Sequence, residues 1–101
     1  MLSVSGLGKL TLRYIVGSGF RLNAKEAVAR RILALCEERN MTINALAAVS
    51  GISPSTIYSM LNKKSQNPGV VSLKKICDGL EISLRDFFND GIFDDLEQEI
   101  Q

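Results

Sequence analysis

Residues 42–62 read Thr-Ile-Asn-Ala-Leu-Ala-Ala-Val-Ser-Gly-Ile-Ser-Pro-Ser-Thr-Ile-Tyr-Ser-Met-Leu-Asn, and this stretch decides the fold. It spells two short helices joined by a tight turn. Thr42 is a hydroxyl N-cap for the first helix, accepting from backbone N–H groups that have no partner inside the helix. Leu46 and Ala47 face inward, and the small alanine lets a second helix approach closely. Gly51 falls where the helix must stop, because glycine takes positive φ without steric cost. Ile52 then drops into the core. Ser53 caps the next helix and Pro54 occupies its first turn, where a missing N–H does no harm. Ile57, Met60 and Leu61 follow at helical spacing and give that helix a buried side.

Working outward, a longer helix is predicted upstream, from about Asn23 to Asn40. Asn23 caps it, with Glu26 three positions on in a capping-box arrangement. Val28, Ile32 and Leu35 form its inner stripe, with Ala29 and Cys36 alongside, while Arg30, Arg31, Glu37, Glu38 and Arg39 form a solvated outer face. Downstream, residues 62–69 carry amides, serine, proline and glycine together, which marks a loop. A fourth helix is expected over Ser72–Leu80, capped by Ser72, with Leu73, Ile76, Cys77 and Leu80 inward and Gly79 near its end. Ser83 caps a fifth, whose Leu84, Phe87 and Phe88 close the core. Asn89-Asp90-Gly91 breaks the chain again. Ile92, Phe93, Leu96 and Ile100 then stand at helical spacing in an acidic tail, a helix too short to hold alone. It must dock on its own domain or on a partner.

The first twenty residues differ in kind. Lys9 to Val16 alternates apolar and polar, with Leu10, Leu12, Tyr14 and Val16 on one side, which is a strand pattern. A lone strand needs a partner. It would pair with a second copy, lie against the helices, or stay disordered. The organisation expected is therefore an extension over 1–22, a helical domain over 23–90 and an acidic amphipathic tail over 91–101.

Composition excludes several functions. The chain has 101 residues, enough for one domain with its own core. Apolar residues make up 46% and charged residues 23%, ordinary for a globular protein. No apolar run approaches the roughly 20 residues that span a bilayer, and the start does not read as a secretory signal, so a cytoplasmic protein is expected. There is no histidine, which removes the commonest general base and zinc ligand. Cys36 and Cys77 have no metal-ligand spacing and read as small buried hydrophobes. No nucleophile stands with a base, and Gly6 and Gly8 lack the strand and helix that a phosphate loop needs. No catalysis, metal or cofactor is expected. The net charge of +1 hides an asymmetry: three basic and no acidic residues over 1–21, six against three over 22–70, and three against eight over 71–101. A nucleic-acid binder needs a basic face rather than a basic total.

The set Leu46-Ala47, Gly51-Ile52-Ser53, Ile57 and Asn62, with Leu73, Ile76, Leu80 and Ile82 behind it, resembles the helix-turn-helix of the lambda-repressor-like family, the Cro and xenobiotic-response-element class of bacterial and phage regulators. The resemblance covers roughly Ala24 to Phe88. It implies an all-α fold: a compact five-helix lambda-repressor-like DNA-binding domain, here with a strand-like N-terminal extension and a short acidic C-terminal helix. Leu22 stands about where relatives begin. A bacterial gene can start on a leucine codon, so residues 1–21 are either an upstream addition or a native extension.

The resemblance also implies a site. The second helix of the motif enters the major groove and its N-terminal residues meet base edges. Carried onto this chain, the base-reading candidates are Pro54, Ser55, Tyr58 and Ser59, with Thr56 second in rank. The phosphate candidates are Thr42, Asn44, Asn62, Lys63 and Lys64. Ile43 stands where many relatives have a glutamine, which costs one phosphate hydrogen bond. No arginine or glutamine lies on the reading face, so DNA shape is expected to carry part of the discrimination. The function implied is a sequence-specific DNA-binding transcriptional regulator, a repressor, acting as a homodimer on a double-stranded operator. Neither a membrane nor a small-molecule effector is expected. The alternatives are a DNA-binding antitoxin or mobile-element immunity repressor, and a protein-interaction module that keeps the fold without DNA.

Overall fold

The computed structural model describes residues 21–62 and 67–100. The strand pattern over Lys9–Val16 and the lysines Lys63 and Lys64 lie outside the described residues. Among those described, five α-helices follow one another: α1 (Ala24–Glu38), α2 (Ile43–Ser50), α3 (Pro54–Leu61), α4 (Val70–Leu80) and α5 (Leu84–Phe88). A single 3-10 turn, Gly91–Phe93, comes last.

Four of the five expected side-chain caps form, at Asn23, Thr42, Ser53 and Ser83. Asn23 Oδ1 accepts from Glu26 N at 2.8 Å and Glu26 Oε1 accepts from Asn23 N at 3.0 Å, a reciprocal capping box. Thr42 accepts from Ala45 N at 3.0 Å, and Ser83 from Asp86 N at 2.9 Å. Three helices end in the same way. Asn40 (φ 54°), Gly51 (φ 66°) and Glu81 (φ 60°) take the left-handed conformation. The next residue in each case, Met41, Ile52 or Ile82, donates its N–H back to Cys36, Ala47 or Cys77 over 2.8, 3.2 and 2.9 Å. This is the Schellman pattern, and all three of those side chains pack against the core.

That core holds Ile32, Leu46, Ile57, Ile76, Cys77 and Phe87 almost fully buried. Each large apolar side chain there contributes about 1.5–3 kcal/mol relative to exposure. Burial pushes both thiols, Cys36 and Cys77, above the ordinary cysteine range, so they remain protonated packing groups. α2 lies tightly on α4: a Cβ at Gly79 would stand 2.7 Å from Ser50 Oγ and 2.8 Å from the Val49 carbonyl oxygen. Ala47 is buried as foreseen, and the closest approach of the two helices is at Val49 and Ser50 of α2 against Gly79 of α4.

Four expectations need correction. α4 starts at Val70, with Gly69 as its N-cap and no side-chain cap; Ser72 lies inside the helix. The chain leaves Pro68-Gly69 and closes its first bond at once, Leu73 N to Gly69 O at 3.0 Å. The acidic tail is not a helix beyond its 3-10 turn. Its groups bond to the start of α1 instead: Glu97 N donates to Leu22 O at 2.9 Å, and Glu99 Oε2 accepts from Ala24 N at 3.1 Å. Phe88 does not plug the core but stays 42% exposed, set edge-on to Phe87 and Phe93 with centroids 4.9 Å away from each. Finally, Arg31 is not on the outer face. Its side chain is 11% exposed; Nε donates to Phe87 O at 2.6 Å, Nη2 to Asp86 O at 2.9 Å, and Nη1 pairs with Asp90 Oδ2 at 3.4 Å. Leu22 and Ala27, which no pattern singled out, are also buried.

Candidate nucleic-acid interface

α3 is eight residues long and divided along its axis. Ile57 and Met60 are buried and Leu61 packs against the core. Pro54, Ser55, Thr56, Tyr58 and Ser59 are exposed, Tyr58 at 56%. All five base-reading candidates therefore share the outward side of one helix, and Ser55 and Ser59 lie one turn apart.

The start of α3 is a small hydroxyl network. Ser53 Oγ accepts from Thr56 N at 3.3 Å and lies 2.8 Å from Thr56 Oγ1 and 3.2 Å from Ser55 Oγ. Thr56 is thereby tied to the cap, which suits its second rank. The Ser55 hydroxyl is aimed by the same contact. Ser59 and Tyr58 stand further along the exposed side, so the face offers hydroxyls, a proline ring and a phenol, with no formal charge between Pro54 and Leu61.

The phosphate candidates divide. Thr42 uses its acceptor on the N-cap of α2, and Asn44 is exposed one position into that helix. Asn62 is the C-cap of α3, exposed, with extended backbone (φ −85°, ψ 129°). Ile43 packs partly buried against the core, so that position serves packing rather than solvent. Lys25 is a further member of this region that the sequence pattern does not mark. Its Nζ donates to the Asn62 carbonyl and joins the first turn of α1 to the end of α3. No spacing rule points from residue 25 to residue 62. For Arg31 a signal existed: it stands three after Val28 and four before Leu35, within the inner stripe.

The family model of the Cro/C1-type HTH DNA-binding domain matches residues 31–90. The chain belongs to this family. The matched Cro/C1-type domain runs from within α1 to just past α5. Among curated proteins it is similar to the HTH-type transcriptional repressor RghR of Bacillus subtilis (strain 168), 37% identical over 57 residues. That match covers 56% of this chain and 42% of RghR, so the chain spans less than half the length of this relative. Among solved structures, the prophage Lp1 protein 11 superposes with a TM-score of 0.66 at 29% identity, covering 74% of this chain and 99% of that one. The restriction-modification controller protein C.Esp1396I superposes with a TM-score of 0.57 at 31% identity, covering 63% and 81%. The lambda-repressor-like resemblance drawn from residues between Leu46 and Ile82, and the expected all-α fold, agree with these findings and with the helices of the described residues.

Proposed function

We propose that this Cro/C1-type domain is a sequence-specific transcriptional regulator, a repressor rather than an enzyme, that acts in the bacterial cytoplasm. In this reading α3 lies in the major groove. Pro54, Ser55, Tyr58 and Ser59 meet base edges, while Thr42, Asn44, Asn62, Lys63 and Lys64 position the domain on phosphates. The observation that carries it is the division of α3, whose apolar side is locked into the core while its hydroxyl side stays exposed behind a rigid cap. One short reading helix sees few base pairs, so the protein works as a homodimer on a two-part operator. No small-molecule effector is required. The likeness to a prophage protein supports a mobile-element setting for the same activity.

The test begins with an operator selected from randomised duplexes and proceeds by fluorescence anisotropy at several salt concentrations. Ser55→Ala with Ser59→Ala should narrow the gap between operator and random DNA and leave the salt slope nearly unchanged. Lys63→Ala with Lys64→Ala should weaken both DNAs in parallel and lower the slope by about one unit for each phosphate left without its lysine. A serine pair without effect on the specificity ratio would remove α3 from the groove. No binding to any duplex at low salt would remove the function.

A further inference from the structure

Three contacts pin the first turn of α1. The capping box closes it from both sides, Asn23 with Glu26 at 2.8 and 3.0 Å. The tail adds a third, with Glu99 Oε2 on Ala24 N at 3.1 Å. Exposed ion pairing of Arg21 with Asp95 at 3.3 Å lies just upstream. Lys25 rises from this turn. It is half-buried, and its ammonium donates to the carbonyl of Asn62 at the end of α3.

That end of α3 needs such a donor. The last carbonyls of a helix have no partner inside it and carry the negative end of the helix dipole. α3 has only eight residues and no basic residue in its last turn. Its N-terminus is fixed by Ser53, its buried side by Ile57, Met60 and Leu61, and its C-cap Asn62 donates its N–H to Ser59 O at 3.2 Å; Lys25 adds a side-chain contact from a different helix at that same C-cap. We infer that Lys25 is a positioning residue for DNA recognition: a cation held on a rigid turn of α1 that fixes the exit of the reading helix at Asn62. It acts through α3 and not by touching DNA. A reading helix free to rock at one end averages its base contacts over several geometries, whereas phosphate contacts, being long-ranged, tolerate the motion.

This rests on the proposed role of α3, and the measurements keep the two apart. Lys25→Met keeps the length of the side chain and removes the charge; Lys25→Arg keeps a donor. In the free full-length protein, amide exchange should quicken several-fold at Leu61 and Asn62 in Lys25→Met, stay unchanged at Ile57, and return toward wild type in Lys25→Arg. On DNA, Lys25→Met should lower the operator-to-random ratio several-fold with an unaltered salt slope, and Lys25→Arg should recover most of it. A slope lower by about one unit, with parallel loss on both DNAs, would make Lys25 a phosphate contact and overturn the inference. So would unchanged exchange at Leu61 and Asn62. A wild-type protein that binds no duplex would sink the reading of α3 but leave the exchange result to decide whether Lys25 secures its end.

Discussion

The corner between α2 and α3 and the corner between α4 and α5 are built alike from nearly the same letters. Gly51-Ile52-Ser53 makes one and Glu81-Ile82-Ser83 the other. In each, the first residue is left-handed, at φ 66° and ψ 32° or φ 60° and ψ 43°. The isoleucine then enters the core, and the serine caps the next helix. The helices beyond the two corners differ. After Ser53 comes an eight-residue helix with one side left polar; after Ser83 comes a five-residue helix whose Phe87 is buried. The same bend serves once to present a face and once to close the core. The bend is a property of backbone geometry, and its use is set by the side chains beyond it.

The comparison can be broken where the two corners meet, at the contact of Ser50 with Gly79. Gly79→Ala places a methyl within 3 Å of the Val49 backbone, which cannot yield without parting α2 from α4. We expect the largest loss here, roughly 3 kcal/mol, at the upper end of the overpacking range. Urea melts of the variant should show a lower midpoint with an unchanged slope.

Next in size is a test of the left-handed residue itself. Gly51→Val should cost roughly 2 kcal/mol, since left-handed backbone costs an L-residue about 1–2 kcal/mol and a β-branched one resists it further. Nothing lies within 4 Å of a Cβ at Gly51, so the loss would be conformational and not steric. Glu81→Val should cost clearly less, because Glu81 already bears most of that strain. Equal losses in thermal denaturation at the two sites would refute the equivalence of the corners.

The smallest effect has the opposite sign. Glu81→Gly should stabilise the protein by roughly 0.5 kcal/mol, the left-handed penalty less the entropy that glycine adds to the unfolded chain. A rise of melting temperature by a few degrees would show it. Any fall would mean that the Glu81 side chain holds something its exposed position does not reveal.

These corners also explain what could be read from the letters alone. Gly51 marks its turn because glycine is the usual answer to positive φ. Asn40 and Glu81 make the same turn, but Glu81 carries no such mark. The stretch around α3 is legible because cap, proline and apolar spacing are all local. Leu22 and Lys25 are not, since each has its partner dozens of residues away, and for Arg31 the spacing marks the inward side but not the carbonyls it reaches. The acidic tail misleads for the same reason. Its apolar spacing promises a helix, but the Glu97 N–H finds Leu22 O ahead of α1 and the Glu99 carboxylate finds Ala24 N at its start, and tertiary bonding prevails over local pattern.

The clamp at Arg31 bears on how the shortest helix is held. A helix of five residues has no stability of its own, since nucleation alone outweighs the few bonds it makes. The guanidinium reaches the carbonyls of Asp86 and Phe87 across 55 and 56 residues of chain. α5 thus depends for its stability on being docked against α1, which presents the donor to it. The short helix acts as a latch: the clamp that holds it also holds Phe87 in the hydrophobic interior.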